Sequence, residues 1–184
     1  ALPISLFGGF AGTENSRDQR NPGANVTVLT GDIELNDTVN ADGVTLKPSH
    51  IAGSNSYSVV KAAGVSHTAV LDGFTITGGK ADGDSAGAPD NSASYGGGLF
   101  ALNSTPTITN CSFIGNDAYW GGGGLCSTAG GPIFTQCIFS GNTSRNGAGM
   151  YNDSGNPLLA ECSFLKTLPP RPAEACTADQ AGRS

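Results

Sequence analysis

The residues of this sequence that could carry out hydrolysis are a serine in a glycine-rich segment and a histidine upstream of it. Residues 83–87 read GDSAG and match the pattern G-x-S-x-G, in which a tight turn exposes the serine hydroxyl. A serine attacks an ester when a histidine accepts its proton and a carboxylate orients that histidine. This interpretation makes Ser85 the nucleophile and His67 the base. The carboxylates that could orient His67 are Asp84, Asp90 and Asp72.

The serine motif carries little weight on its own, because glycine and serine are both frequent in this chain. GDSAG resembles the serine motif of an esterase and lipase family, and that resemblance implies a carboxylic ester hydrolase. In that family a helix follows the serine, and the aspartate and the histidine come later in the chain. Here no helical pattern follows Ser85, and both histidines, His50 and His67, precede it. The ester hydrolase is therefore an alternative hypothesis, with a small ester as its substrate.

The segment around the serine motif also contains acidic side chains that could bind a metal ion. Asp82, Asp84 and Asp90 lie in a glycine-rich stretch, and Ca²⁺ prefers carboxylate oxygens as ligands. The spacing differs from that of an EF-hand loop, because no glutamate completes it. Calcium is the one cofactor that these residues suggest, and a solvated acidic loop is the other interpretation of the same segment. No Cys-x-x-Cys pair or His–Cys cluster indicates a structural metal.

The element that must position these residues is a short pattern that occurs three times in residues 95–165. A cysteine recurs at Cys111, Cys137 and Cys162, after steps of 26 and 25 residues. Apolar residues occur in short sets separated by Gly, Asn, Pro and Ser, which indicates short strands and turns. Equivalent residues are therefore predicted to stack roughly 4.8 Å apart. The predicted ladders are Leu99/Leu125/Met150, Ile108/Phe134/Leu159, Cys111/Cys137/Cys162 and Phe113/Phe139/Phe164 inside, with Asn116 and Asn142 stacked at one turn.

This period predicts an all-β fold, a right-handed parallel β-helix (β-solenoid) with roughly 25 residues per coil. The copies resemble repeats of the polymorphic outer membrane protein type, in which a GG segment precedes a C-x-F-x-x-N segment, here CSFIGN at 111–116 and CIFSGN at 137–142. The third copy departs, with Ala148 in place of a glycine and Lys166-Thr167 in place of Gly-Asn. The earlier sequence resembles bacterial secreted proteins of the pectin-lyase-like superfamily. The matching segments are residues 7–21, 25–37 and 68–79.

These resemblances imply a fold and a secreted or cell-surface location in bacteria, but they do not select an activity. The same fold carries enzymes, adhesins and passive stalks. A polysaccharide-active enzyme needs two carboxylates for hydrolysis, or Ca²⁺ and a basic residue for elimination. The acids of the repeats, Asp117, Asp153 and Glu161, do not share one repeat position. Tyr119 and Trp120 lie at a turn, where they could stack on a sugar ring or cover the turn.

The domain organisation follows from where the repeat holds and where it stops. The β-helix domain is predicted over residues 1–165, with an insertion loop at 80–94, and an irregular tail over 166–184 that does not continue the repeat and could be non-native. Residues 12–23 are interpreted as a solvated loop with local ion pairs, and residues 33–35 as a strand. The abrupt start and the lost register indicate a fragment of a longer β-helix.

Composition excludes some partners. The net charge of −6 and the pI near 4.6 disfavour binding to nucleic acid and to anionic membranes. No apolar run is long enough to cross a bilayer. Of the five cysteines, three occupy an inward ladder and Cys126 a neighbouring column, where cysteine acts as a small hydrophobe. We therefore expect no disulfide among these four.

The function that these observations favour is a secreted or cell-surface module that presents an extended surface for adhesion or glycan binding. The serine ester hydrolase and the polysaccharide-active enzyme are the two alternatives. The partner is then a glycan, another cell-surface ligand or a small ester. Exposed coil ends also suggest a homo-oligomer, because unpaired strand edges invite association.

Overall fold

The computed structural model describes residues 4–83 and 92–165, which are almost entirely β-structure with parallel sheets. Two single-turn 3₁₀ helices, Arg17–Gln19 and Pro48–His50, lie in the connections near the start. The strands of the described residues, in chain order, are β1 (Ser5–Phe7), β2 (Val28–Thr30), β3 (Val60–Ala63), β4 (Val70–Asp72), β5 (Thr75–Thr77), β6 (Lys80–Ala81), β7 (Leu99–Leu102), β8 (Thr107–Thr109), β9 (Ser112–Ile114), β10 (Asp117–Ala118), β11 (Leu125–Thr128), β12 (Ile133–Thr135), β13 (Ile138–Ser140), β14 (Met150–Asp153), β15 (Leu158–Ala160) and β16 (Ser163–Leu165).

Strands from successive copies of the repeat pair in parallel and form three sheets. Sheet 1 has the order β1-β4-β8-β12-β15, sheet 2 the order β16-β13-β9-β5-β2, and sheet 3 the order β14-β11-β7-β3. The short strands β6 and β10 form a separate parallel pair. The chain therefore visits sheet 1, sheet 2 and sheet 3 in turn and then begins the next copy. Strand β6 also takes up the first two residues of the predicted insertion loop.

Three of the four predicted inward ladders are confirmed by the strand register. Leu125 pairs with Leu99 and Met150, Phe134 with Ile108 and Leu159, and Phe139 with Phe113 and Phe164. The ring centroids of Phe113 and Phe139 lie 4.9 Å apart and those of Phe139 and Phe164 lie 4.7 Å apart, with nearly parallel planes. Each fully buried phenylalanine contributes about 1.5–3 kcal/mol to folding.

The cysteines of the described residues behave as buried apolar side chains. Cys111, Cys126 and Cys137 are buried, Cys162 is half-buried, and none of these four forms a disulfide. Burial raises the pKa of Cys111 and Cys126 to about 11 and that of Cys137 to about 12. The three buried thiols are therefore protonated at neutral pH.

The stacked asparagines form a buried hydrogen-bonded column, as the sequence predicts. The Asn116 side chain accepts from the Gly79 N–H (3.0 Å) and donates to the Ile76 carbonyl (2.9 Å) and to Asn142 Oδ1 (3.1 Å). The Asn142 amide donates in turn to the Phe113 carbonyl (2.8 Å). The column therefore satisfies backbone groups at a corner where no strand ladder can.

Residues 33–35 are not a strand, so that prediction was wrong. The Asp32 carboxylate accepts from the backbone N–H groups of Asn36 (3.2 Å) and Asp37 (2.9 Å), and Leu35 has a φ of 56°. Aspartate side chains that bond nearby backbone compete with strand pairing in this way. The chain then passes the carboxyl ends of the sheet 2 strands, close to Thr77, Gly115 and Gly141, and we call residues 44–47 the strap. In the described residues, neither helix has the length or apolarity needed to span a membrane.

Candidate functional site

The structure describes only part of the predicted catalytic group. Ser85, Asp84 and Asp90 lie outside the described residues. His67 is exposed in the turn before β4, and its carbonyl accepts from Thr107 Oγ1 (2.9 Å). Asp72 does not orient His67, because its two carboxylate oxygens are bound by other side chains described below.

The predicted calcium ligands fall in the same segment, and only Asp82 is described. Its carboxylate forms an ion pair with Lys80 Nζ at 3.3 Å, so a local cation already neutralises it. Within residues 4–83 and 92–165, no group of three or more His, Cys, Asp or Glu side chains could hold a metal ion.

An open polar groove lies where the chain turns from sheet 1 to sheet 2, and we call it the corner groove. Its volume is about 790 Å³. One wall is the connection between β1 and β2, and the floor is built from the ends of the paired strands and the turns between them. Its polar lining side chains are Ser5, Arg17, Asp18, Arg20, Asp72, Thr75, Asn110, Ser112 and Gln136.

A buried ion pair fastens the groove wall to the sheets. Arg20 forms a salt bridge with Asp72, and the two side chains are only 13% and 10% exposed. Arg20 Nη1 also donates to the Gly8 carbonyl (3.1 Å), and Asn110 Nδ2 donates to Asp72 Oδ1 (2.9 Å). Removing one member of such a pair typically costs about 3–5 kcal/mol, because the other charge stays buried. The expectation of a solvated loop with local ion pairs was therefore wrong for Arg20.

A second arginine presents its charge to the groove. The guanidinium carbon of Arg17 lies 4.6 Å from the centroid of the Phe7 ring, and that of Arg20 lies 5.4 Å from it. Arg17 is 60% exposed and makes only a long contact, 4.0 Å, with Asp18, which is 91% exposed. The aromatic ring thus orients a guanidinium whose N–H groups still reach solvent.

The floor of the groove depends on an unusual backbone conformation at the corner. Gly73, Asn110, Gln136 and Glu161 occupy one column and have φ values of 83°, 51°, 54° and 55°. This left-handed conformation turns the chain sharply from sheet 1 into sheet 2. Asn110 and Gln136 are exposed and carry amides that both donate and accept hydrogen bonds. The column therefore supplies paired donors and acceptors along the groove.

Aromatic side chains gather at the corner that leads to sheet 3. Tyr119 and Trp120 pack edge to face with centroids 5.0 Å apart, and Arg145 lies 4.8 Å from the Trp120 ring. Tyr95 and Tyr151 pack at 5.7 Å. All five side chains are half-buried. Desolvation raises the pKa of Tyr95. Because these rings pack against each other, they serve first as a cover for the turns.

The acids of the repeats lie apart, as the sequence predicts. Asp117 is buried in β10, Asp153 pairs with Thr128 at the end of sheet 3, and Glu161 is exposed after β15. They do not form the facing pair that glycoside hydrolysis requires.

Comparison of this chain with protein-family models, with curated proteins and with solved structures found no match.

Proposed function

We propose that this chain is a right-handed parallel β-helix of the pectin-lyase-like type, with repeats of the polymorphic outer membrane protein type. We propose further that it is a secreted or cell-surface module that binds glycans through the corner groove. The fold proposal is supported by the in-register parallel pairing and by the order in which the chain visits the three sheets. A right-handed path agrees with the crossover rule for parallel strands.

The observation that carries the functional proposal is the polar lining of the corner groove. Sugar hydroxyls donate and accept hydrogen bonds, and the amides of Asn110 and Gln136 can answer both roles. The hydroxyls of Thr75 and Ser112 and the exposed guanidinium of Arg17 add further partners. The volume of about 790 Å³ lies within the range of small-molecule sites, roughly 300–1,000 Å³.

Binding of a glycan is favoured over its cleavage, because the carboxylate at the groove floor, Asp72, is already bound by other side chains. Asp72 is held by Arg20 and Asn110, so its carboxylate is not free to approach a sugar. Asp18, the other carboxylate among the described lining residues, is on the exposed rim. General acid–base chemistry needs two groups that exchange protons with the substrate.

The experiment is a screen of immobilised neutral and acidic oligosaccharides, followed by titration calorimetry on the ligand found. Replacing Gln136→Ala removes one or two neutral hydrogen bonds and should raise the Kd about 3- to 10-fold. Asn152→Ala is the matched control, because Asn152 is an exposed amide on sheet 3. Binding that Gln136→Ala leaves unchanged and Trp120→Ala removes would move the site to the aromatic corner. A screen without any ligand would contradict the proposal.

A further inference from the structure

We infer that two copies of this chain form a symmetric dimer, in which the row of Asp82, Tyr119 and Arg145 on one copy lies antiparallel against the same row on the other. This row crosses successive copies of the repeat at the aromatic corner, and we call it the outer column. The inference does not rest on the glycan-binding proposal, because the outer column and the corner groove lie on different corners of the fold.

The short strands β6 and β10 place the first two members of the outer column side by side. Ala81 pairs with Ala118 in parallel, and the Tyr119 N–H donates to the Ala81 carbonyl (2.8 Å). Asp82 directly follows Ala81, and Tyr119 directly follows Ala118. Asp82 and Tyr119 are therefore neighbours in adjacent copies.

The third member, Arg145, lies on the opposite side of Tyr119. Two parallel bridges enclose this part of the corner, and they join Asp117 with Thr143 and Gly121 with Asn146. Between these bridges one copy has three residues, 118–120, and the next has two, 144–145. The extra residue forms a bulge, so that Tyr119 and Trp120 both lie against Arg145. The outer column thus runs in the order acid, aromatic ring, base.

This order makes the outer column complementary to itself. A two-fold axis through Tyr119 places Arg145 of each copy opposite Asp82 of the other, and Tyr119 opposite itself. Neighbouring strands are about 4.8 Å apart, so the acid and the base are each one step from the axis and match in both directions. A joint of this kind is isologous and closes as a dimer.

Arg145 is held in place but has no acidic partner of its own. Its guanidinium carbon lies 4.8 Å from the centroid of the Trp120 ring. Among the residues that the structure describes, no carboxylate lies within 4.0 Å of the Arg145 nitrogens. A guanidinium stacked on a ring keeps its N–H groups free at its edge, where two of them can donate to one carboxylate. The second copy supplies that carboxylate.

Asp82 can accept these donors while it keeps its ion pair with Lys80. Asp82 Oδ2 lies 3.3 Å from Lys80 Nζ, and the Asp82 side chain is still 37% exposed. An ionised carboxylate has about four acceptor positions, so a second cation can share it. The dimer therefore places each Asp82 carboxylate between Lys80 of its own copy and Arg145 of the other.

The centre of the joint is rigid and consists of residue types that dominate binding energies. Tyr, Trp and Arg are enriched among such residues. The Trp120 N–H donates to the Ser94 carbonyl (3.0 Å), and the Trp120 carbonyl accepts from the N–H (3.1 Å) and from Nδ2 (3.0 Å) of Asn146. Tyr119 packs edge to face on the Trp120 ring, so the two side chains lose little further freedom when a second copy binds.

The test is sedimentation velocity of the full 184-residue chain over a range of concentrations, with charge changes in the outer column. Arg145→Asp and Asp82→Arg each turn two attractive pairs into two like-charge pairs, so each should raise the dimer Kd at least about 10-fold. An equimolar mixture of the two variants should form a heterodimer, because every pair then again joins a carboxylate to a guanidinium. Asp18→Arg, the same change of charge at the corner groove, is the matched control and should leave the Kd unchanged.

Fluorescence locates the joint, because Trp120 is the single tryptophan of the sequence. Its emission should move to shorter wavelength as the concentration rises through the dimerisation range, since the second copy excludes water from the indole. Circular dichroism of every variant confirms that it is folded. Wild type that stays monomeric at all concentrations overturns the inference. A mixture of Arg145→Asp and Asp82→Arg that fails to associate also overturns it, and so does a dimer that forms without a change in the emission of Trp120.

Discussion

Removal of the Asn116 side chain tests the buried asparagine column. Asn116→Ala takes away the acceptor of the Gly79 N–H and the donor to the Ile76 carbonyl, and both groups are buried. A buried polar group left without a partner costs about 1–3 kcal/mol, so the two together cost about 4 kcal/mol. That is a large part of the 5–15 kcal/mol typical of a folded domain.

The assay is urea unfolding followed by circular dichroism, with thermal unfolding in parallel. For a domain of this size, 1 kcal/mol corresponds to about 2–4 °C in Tm, so the expected drop is about 8–16 °C. Asn116→Asp keeps the shape and the acceptor but loses the donors, and it should also destabilise at pH 7. The control is Asn152→Ala, which removes one exposed hydrogen bond to the Gly155 carbonyl and should cost less than about 1 kcal/mol. If Asn116→Ala lies within 1 kcal/mol of wild type, the column does not contribute as argued.

Three further predictions concern the groove wall, the thiols and the serine motif. Arg20→Ala should destabilise by about 3–5 kcal/mol in urea unfolding because Asp72 stays buried without its cation, and Arg20→Met with Asp72→Leu should recover part of that loss. The pKa of Cys137 is raised to about 12 from an ordinary value of 9.0, so the folded state holds its proton more tightly. The stability that this thiol gives is present below pH 9 and is lost as the pH rises from 9 towards 12, which chemical unfolding at pH 7.5 and 10 would measure against Cys137→Ala. Hydrolysis of a p-nitrophenyl ester should be the same in wild type, Ser85→Ala and His67→Ala, and loss of activity in both folded variants would instead favour the ester hydrolase.

The repeat region could be predicted from the sequence because its period fixes its register. A cysteine and a phenylalanine return after steps of 26 and 25 residues, and an asparagine returns once after 26. Phe113, Phe139 and Phe164 therefore had to fall in one ladder once parallel strands were assumed. The side-chain bonds between Asn116 and Asn142 follow from the same stacking. In these copies, each residue stacks on a residue of the same or a similar type in the adjacent copy.

The corner groove could not be predicted in this way, because its walls come from sequence that does not repeat. Arg20 and Asp72 are separated by 52 residues, and nothing local marks them as partners. The sequence did contain a signal. Asp72 aligns with Thr109 and Thr135, the residues directly before Asn110 and Gln136, so its side chain had to lie near that corner. The length of the connection between β1 and β2 also indicated that this connection packs against the sheets. The strand predicted at residues 33–35 was wrong for a related reason. The Asp32 carboxylate binds nearby backbone N–H groups, and these bonds override the strand propensity of the segment.

The strap has a consequence for how this chain would come apart. In a stack of repeats each copy touches only its neighbours, so unfolding can begin at an end and proceed one copy at a time. The strap is an exception to this nearest-neighbour arrangement. Its Thr45 carbonyl accepts from Thr77 Oγ1 (2.7 Å), and a methyl group at Gly115 or Gly141 would overlap its backbone, so it lies against three successive copies. The strap therefore links these three copies, and unfolding one of them by force or by heat requires the three to unfold together.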